Sequence, residues 1–595
     1  HCSLAVALTI AIGLPGWSEA SEQDDFFERK IRPVLVDQCY KCHAGEADVI
    51  QGGLRLDDPQ AMRDGGDSGA AVMPGDPDKS LLLAAIRYDD GLEMPPEGPL
   101  SDEVVRDFET WIKLGAVDPR QSMPSQPSRS ATTEIDWVEA RESWAYRSPR
   151  RTAPPRTSNA RWSETAIDPF VLARLESEGL SPNPQAEKSE FIRRVSFDLT
   201  GLPPTPPEVE AFLLDERPDA KRRLIERLLA SPAHAEHWAR MWLDVARYAE
   251  DQAHKVGNND SLTYPNAYYY RDWVIAALAD DMPYDDFIRL QLAADLINPS
   301  DAPSHLALGF IGLGPKYYRR NSPEVMADEW EDRIDTVTRG LLGLTVACAR
   351  CHDHKYDPIT MADYYGLAGV FASTEMFNRP IDDSVETQKG QSKDPKQAVH
   401  IVRDGKPQDV YLMIRGDVNN KGPLIERRFL QVFGEPMKPL KQGSGRADLA
   451  EAIVDRENPL TARVIVNRIW GQFFGRPLVT TPSNFGALGS PPSHPELLDD
   501  LAVRFMDQGW SIKWLQREIV LSAAYGQSSD IDPHKISIDP ENALIWRVPR
   551  RRLSIEAFRD ALLFVSGRLE QRVGGESMQP DDPESRRRTL YSDCL

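Results

Sequence analysis

The feature that most restricts how this chain can fold is a pair of C-x-x-C-H motifs, C-Y-K-C-H at residues 39–43 and C-A-R-C-H at residues 348–352. In such a motif two thiols form thioether bonds to the vinyl groups of a porphyrin, and the adjacent histidine is held where its imidazole can ligate the iron. Only six cysteines occur in 595 residues, so two copies of this spacing are not expected by chance. The sequence predicts two covalently attached haem c groups, with thioether bonds at Cys39, Cys42, Cys348 and Cys351 and iron ligation by His43 and His352.

Three other interpretations of the cysteines remain open. Six cysteines in an exported protein could form three disulfides, although four of them stand in the two motifs. A thioredoxin-like redox pair belongs at the junction of a strand and a helix, and neither flank shows that arrangement. A zinc site needs four ligands, which here would have to come together from both motifs. The haem interpretation is preferred because a histidine directly follows each pair of cysteines.

An electron-transfer haem needs a second axial ligand, methionine or histidine. For the first haem the best candidate is Met94, because the two prolines after it favour an extended loop that can present the thioether to iron. Met73, also followed by proline, is the second choice. For the second haem we prefer His254, and an open sixth position, which would allow small-molecule binding, is an equal alternative. His354 follows His352 too closely to reach the opposite face of the ring, so we expect it to form local hydrogen bonds.

The first twenty residues differ from the rest of the chain. Leu4–Trp17 is apolar over the length of a signal-peptide core, and Ser18–Ala20 offers small residues for cleavage. No initiator methionine or basic segment precedes this stretch, so residues 1–20 are expected to be part of a signal peptide. No later stretch reaches the roughly 18 apolar residues of a membrane-spanning helix. We therefore expect an exported protein without a transmembrane span, located in the periplasm, at the cell surface or outside the cell.

Length and composition predict several folded domains. With about 150 residues per domain, 595 residues should form three or four units, and a hydrophobic content of 41% can supply their cores. The formal net charge of −22 argues against nucleic acid as a partner, because phosphate binding requires a positive patch.

The pattern of apolar residues predicts a mainly α, multidomain fold. Ser101 can cap a helix that Gly115 can end, and Asp168 can cap another with Pro169 at its first position. Val410–Asp417 reads as a strand that leads into a turn. The predicted domains are a small class I-like cytochrome c domain at 21–120, a linker at 121–160, a larger helical domain with the second haem motif at 161–375, a small β-containing segment at 376–440 and a helical C-terminal domain at 441–595. Within the linker, Trp137 and Trp144 are expected to dock on a neighbouring domain.

Long motifs give the chain a resemblance to a known family. The first part of the chain contains I-R-P-V-L-V-D-Q-C-Y-K-C-H at 31–43 and W-I-K-L-G-A at 111–116. The middle part contains F-I-R-R-V-S-F-D-L-T-G-L-P-P-T at 191–205 and G-L-T-V-A-C-A-R-C-H-D-H-K-Y-D-P-I at 343–359. The last part contains N-P-L-T-A-R-V-I-V-N-R-I-W at 458–470 and R-R-L-S-I-E-A-F-R-D at 551–560. With these motifs the chain resembles large exported proteins of planctomycetes that join a planctomycete-type cytochrome c domain to two domains of unknown function.

This resemblance implies haem attachment at Cys39 and Cys42 with His43 on the iron, and Met94 as the distal ligand. It also supports a second haem at residues 348–352, and it supplies no substrate. In the family the third domain continues well past Tyr591, so the resemblance implies that the C-terminal domain is incomplete here.

Three classes of function fit these observations. The leading prediction is an exported dihaem c-type cytochrome that transfers electrons to a redox partner protein. An enzyme would oxidise an extracytoplasmic substrate in the middle or last domain, and a binding or scaffold protein would need no turnover. The polar residues that could serve an enzyme, each of which could equally pack or cap a helix, are Asp244, Arg247, Asp272, Asp353, His354, Asp357, Asn467, Arg468 and His494.

Overall fold

The chain folds into two units, residues 1–134 and 135–595, each with its own hydrophobic core, in the computed structural model. The structure describes residues 26–593 apart from 45–50, 67, 89–91, 93, 97, 120–134, 252–263, 316–321, 383, 386, 389, 435–437, 580–581 and 583. Helices predominate in both units, so the prediction of a mainly α, multidomain fold is confirmed. Within the described ranges, the strands all lie in the second unit.

The first unit consists of short helices around a core that includes Phe27, Leu83 and Trp111. Its longest helix begins after Ser101, whose side chain accepts a hydrogen bond from the Val104 amide, so the predicted cap is confirmed. The α-helices are Arg32–Val34, Tyr40–His43, Pro59–Asp64, Leu81–Arg87 and Asp102–Lys113, the π-helices are Phe27–Ile31 and Leu35–Cys39, and the 3₁₀ helices are Gln51–Gly53 and Pro77–Lys79.

The second unit is a larger helical assembly. Its α-helices are Trp137–Glu142, Asp168–Ser177, Lys188–Thr200, Pro206–Leu214, Ala220–Leu229, Pro232–Val245, Tyr268–Ala279, Tyr284–Ile297, Gly309–Gly312, Pro323–Val337, Met361–Ala372, Arg446–Val454, Thr461–Phe474, Pro495–Asp507, Ile512–Val520, Ala523–Gly526, Pro533–Ile538 and Ile555–Val565. One hydrophobic core extends from Ala145 to Tyr591, and the partly buried Trp137 and Trp144 pack against it. The expected docking of these two indoles is therefore confirmed.

Two helix ends differ from the sequence prediction. Asp168 is the first residue of its helix, and its carboxylate accepts the amides of Thr165, Ala523 and Ala524, so it joins two distant segments instead of capping its own helix. The helical spacing of Trp238, Trp242, Val245 and Ala249 in the sequence predicts a helix that continues to Ala249. The helix ends at Val245 instead, and the backbone turns at Arg247, whose φ is +55°.

The strands form three two-stranded antiparallel sheets. Thr374–Pro380 pairs with Ala398–Asp404, Thr387–Gln388 with Gln391–Ser392, and Val410–Met413 with Lys421–Ile425. The predicted strand at Val410 is confirmed, although it ends at Met413 and a 3₁₀ turn at Ile414–Gly416 follows. None of the helices in the described part of the chain is long and apolar enough to cross a bilayer.

Candidate haem-attachment sites

The first C-x-x-C-H motif lies at the end of a run of consecutive helical segments that begins at Phe27. Phe27, Ile31 and Leu35 recur at a spacing that places them on one helix face, and all three are 0% exposed in the core of the first unit. Cys39 continues this spacing and packs against the same core, and Tyr40–His43 adds a further helical turn. The apolar spacing therefore directs the first thiol of the motif toward the core.

The imidazole of His43 is oriented by the backbone. Its Nδ1 atom donates a hydrogen bond to the carbonyl oxygen of Leu54 at 3.3 Å, and the amide of Leu56 donates to the carbonyl oxygen of His43 at 2.7 Å. A metal-bound histidine usually donates its other ring N–H to such a partner, which fixes the ring and its tautomer. With Nδ1 used in this way, Nε2 is the atom positioned for ligation of iron.

The chemistry of the two thiols in the first motif suits covalent haem. Both are free and half-buried, and burial, assisted by the charge of Cys42, raises the pKa of the Cys39 thiol to about 11. Disulfide exchange requires a thiolate, which a raised pKa disfavours. A thioether carries no charge, so a buried position costs it nothing electrostatically. Cys39, Cys42 and His43 thus fit haem c.

The two methionine candidates lie on the surface of the first unit. Met94 stands in a loop, as predicted, with its amide donating to the carbonyl oxygen of Ala85 at 3.1 Å, and a cis peptide bond joins it to Pro95. Met73 donates its amide to the hydroxyl of Ser80 at 2.9 Å. Each methionine is 40% exposed. The assignment of Met94 as the distal ligand stays a prediction.

The second motif has a similar local arrangement in a more open setting. Cys348 lies in the 3₁₀ helix Val346–Arg350, Cys351 follows directly, and both thiols are free and exposed. His352 is also exposed, and its Nδ1 atom donates to the carbonyl oxygen of Asp353 at 2.7 Å, which again leaves Nε2 as the atom for a metal. These residue types are the donor set that a haem c requires.

Two contacts hold the second motif in place. Arg350, between the two cysteines, donates to Asp328 at 2.7 Å and also to Glu331. Behind the motif, a Cβ atom at Gly416 would lie 2.6 Å from Sγ of Cys351, closer than van der Waals contact, and the φ of Gly416 is +75°. Both the space and the backbone conformation therefore require glycine there.

His354 and His254 are two further histidines to which the sequence assigned a role. His354 is buried and forms only local bonds: its Nδ1 accepts the amide of Asp357 at 2.8 Å, and its Nε2 lies 3.0 Å from the hydroxyl of Thr345. These contacts agree with the predicted local role of His354. His254, the proposed distal ligand of the second haem, lies outside the described residues.

The structure gives one observation on metal clusters and one on the redox alternative. Across the described residues, no group of three or more His, Cys, Asp or Glu side chains is arranged to hold a metal ion. Neither cysteine pair follows a β-strand, since helical segments precede both motifs. The strand-to-helix junction of a thioredoxin-like site is therefore missing from both places.

The nine polar candidates separate into two groups. Six have structural partners or positions. Three carboxylates accept main-chain amides: Asp272 from Gly575, Asp353 from Met361 and Asp357 from Ala487. Asn467 bonds both main-chain groups of Val479, His354 forms the local bonds described above, and His494 is buried beside Ser493 at the start of a helix. The other three, Asp244, Arg247 and Arg468, line one cavity of about 510 Å³ in the second unit.

Sequence reasoning missed two charged residues in this cavity. Asp335 and Arg339 line it as well, and Nε of Arg339 donates to Asp335 at 2.5 Å. The only signal was the acidic run D-E-W-E-D-R-I-D at 328–335, in which the carboxylates recur at helical spacing.

Three family models match the chain. A model described as Planctomycete cytochrome C matches residues 39–98, one described as Protein of unknown function (DUF1549) matches residues 166–376, and one described as Protein of unknown function (DUF1553) matches residues 445–593. No curated protein and no solved structure matches the chain. The first match opens at Cys39 and includes Met94, whereas residues 348–352 fall within the second match.

The match of residues 39–98 to the planctomycete cytochrome c model identifies a cytochrome c domain, which implies covalently bound haem c. The chain belongs to the planctomycete proteins in which a cytochrome c domain is joined to these two domains of unknown function, so the resemblance found in the sequence is confirmed.

Proposed function

We propose that this protein is an exported dihaem cytochrome that transfers electrons between its haems and an external redox partner. The observation that carries the proposal is the likeness of the two motifs: in each, both thiols are free and the imidazole Nδ1 donates to a main-chain carbonyl oxygen. Such a bond orients a ligating histidine and raises its basicity. The exposure of Cys348, Cys351 and His352 supports the second haem as the point of contact with a partner, because an accessible haem edge favours electron exchange.

Counting covalently retained haems tests the dihaem assignment. The protein is matured in a host with a c-type haem assembly system, denatured, and weighed by mass spectrometry. We expect two haem additions in the wild type and one in each of the variants Cys39→Ala/Cys42→Ala and Cys348→Ala/Cys351→Ala. Lys41→Ala is the matched control, because it changes the motif segment but keeps both thiols and the histidine. A single haem that disappears only with the first pair would show that residues 348–352 are not an attachment site.

Electron transfer is tested on the same preparation. A redox titration followed by visible absorption should show two one-electron steps, and the Cys348→Ala/Cys351→Ala variant should retain one of them. If the second haem is the contact point, this variant should also be oxidised more slowly by an added acceptor protein. An unchanged oxidation rate would place the contact at the first haem. Fractionation of cells that produce the native protein tests export, and recovery in the cytoplasm would contradict it.

A further inference from the structure

The 510 Å³ cavity in the second unit has the size and lining of a small-molecule site. The helices Pro232–Val245 and Thr461–Phe474 contribute apolar walls, among them Trp238, Trp242, Ile465 and Ile469. Nε1 of Trp238 is buried without a hydrogen-bond partner in the described part of the chain, so one polar edge of this wall is unused. Neither candidate haem motif contributes a residue to the lining.

The charged groups in this cavity are unevenly paired. Nη1 of Arg247 donates to Asp332 at 2.7 and 2.8 Å, and Arg339 is paired with Asp335. Arg468 instead donates from Nη2 to the carbonyl oxygen of Arg339 at 2.9 Å and to the hydroxyl of Ser483 at 3.3 Å. Among the described residues Arg468 forms no ion pair with a carboxylate, and its buried Nε has no hydrogen-bond partner.

An uncompensated guanidinium in a largely apolar cavity is unfavourable. Burial lowers the pKa of Arg468, which reports the same cost of removing the charge from water. A buried charge is ordinarily paired, because desolvating it without a partner costs several kcal/mol. The natural remedy is an anion supplied from outside, since the guanidinium fork matches a carboxylate in shape and charge.

Asp244 also lines the cavity and would repel an anion. Asp244 is an exposed residue, however, so solvent screens its charge, whereas Arg468 is only partly exposed. The nearby Arg240 is engaged by Glu556 at 2.6 Å. The interior of the cavity therefore favours a negative group, and the apolar walls favour a hydrocarbon or aromatic body.

We propose that this cavity binds a small organic acid, with its carboxylate on Arg468 and its apolar body between the walls formed by Trp238 and Ile469. The site lies beyond the electron-transfer function and does not depend on it, because no haem-attachment residue lines the cavity.

Calorimetric titration of the oxidised holoprotein with three matched compounds tests the charge preference. The compounds are 3-phenylpropionate, its neutral amide and phenethylamine, which share a phenyl body and differ in charge. We expect the acid to bind at least tenfold more tightly than the amide, and the amine not to bind, because Arg468 is the dominant charge. Equal affinity for the acid and the amide, or preferential binding of the amine through Asp244, would overturn the proposal.

Two variants locate the site. Arg468→Gln should bring the affinity for the acid down to that for the amide, whereas Arg476→Gln, which removes a surface arginine paired with Glu541, should leave it unchanged. If Arg468→Gln fails to fold, Met241→Trp gives an independent measurement: the larger side chain should fill part of the cavity and weaken both ligands. Wild-type binding of the acid by a folded Arg468→Gln or Met241→Trp protein would show that it binds elsewhere.

Discussion

Nδ1 of His43 donates to the carbonyl oxygen of Leu54, which orients the imidazole, and the Leu56 amide donates to the carbonyl oxygen of His43, which fixes the main chain of that residue. The ring orientation is thus set by the polypeptide before any iron is bound. A preorganised ligand of this kind loses little conformational entropy on ligation. Met94, the predicted axial ligand, differs in this respect, because it is 40% exposed in a loop, where its main-chain amide bonds to Ala85.

Replacement of Met94 by alanine should change one haem only. We expect the oxidised Met94→Ala protein to lose the methionine–iron charge-transfer band and one haem to become high-spin, because the thioether is removed while His43 remains. Met73→Ala is the matched control, since that methionine is equally exposed and is also followed by proline. If Met73→Ala loses the band instead, Met73 is the distal ligand. If neither variant changes, neither methionine ligates the iron.

Buried histidines make the stability of the second unit depend on pH. Burial lowers the pKa of His234 and of His494 from 6.5 to about 4. Between pH 6.5 and 4 the unfolded chain therefore binds protons that the folded unit does not, so the free energy of unfolding falls as the pH falls through this window. Each such histidine contributes a slope of about 1.4 kcal/mol per pH unit.

His234→Gln isolates one of these contributions. The variant should lose about 1.4 kcal/mol per pH unit from the slope between pH 6 and about 4.5, measured by denaturant unfolding at several pH values. His534→Gln, at an exposed position, should keep the wild-type slope. An unaltered slope in His234→Gln would mean that the His234 ring is charged in the folded protein.

At the scale of elements, the helix Pro323–Val337 links the second motif to the cavity. Asp328, Glu331, Asp332 and Asp335 recur at intervals of three and four residues, so they lie on one side of this helix. Three of the four pair with an arginine from a distant segment, and Asp335 pairs with Arg339 four residues further along the same helical run. The first two bind Arg350 inside the C-x-x-C-H motif, and the others bind the cavity residues Arg247 and Arg339.

Arg350→Gln should loosen the second motif without unfolding the unit. Because the ion pairs of Arg350 are partly exposed, we expect their loss to cost about 1 kcal/mol of local stability. Amides of residues 346–352 should then exchange with solvent about fivefold faster, as measured by hydrogen–deuterium exchange. Arg403→Gln, which removes the surface pair with Glu375, serves as the control for a general effect. Unchanged exchange at 346–352 would show that the 3₁₀ helix is held by its other contacts.

How far the sequence predicted these elements depended on the range of the interactions. The helix cap at Ser101 and the strand at Val410 were predictable, because capping and β-propensity act within a few residues. The role of Asp168 was not, since its carboxylate binds amides of Ala523 and Ala524, far away in the chain. For the same reason the sequence suggested Arg468 as a polar candidate but gave no indication that it has no carboxylate partner in the part of the chain that the structure describes.

At the scale of the molecule, the sequence families and the packed units have different boundaries. The two matches of unknown function cover 166–376 and 445–593, yet one hydrophobic core includes residues from both and from the sheet region between them. Arg446 joins all three regions: it is 0% exposed and donates to Asp295 at 2.7 and 2.9 Å and to Asp404 at 2.8 Å. The second unit should therefore unfold as a whole.

Calorimetry can test this cooperativity. The holoprotein should show two transitions, a small one for the first unit and a large one for the second, because each has its own core. Arg446→Met should lower the free energy of unfolding of the second unit by about 3–5 kcal/mol, since it leaves the carboxylates of Asp295 and Asp404 without their shared cation. The small transition should not change. Arg456→Gln, which removes an exposed pair with Asp507, should cost less than about 1 kcal/mol. If Arg446→Met instead divides the large transition into two, the regions on either side of the sheets fold independently, and Arg446 only fastens them together.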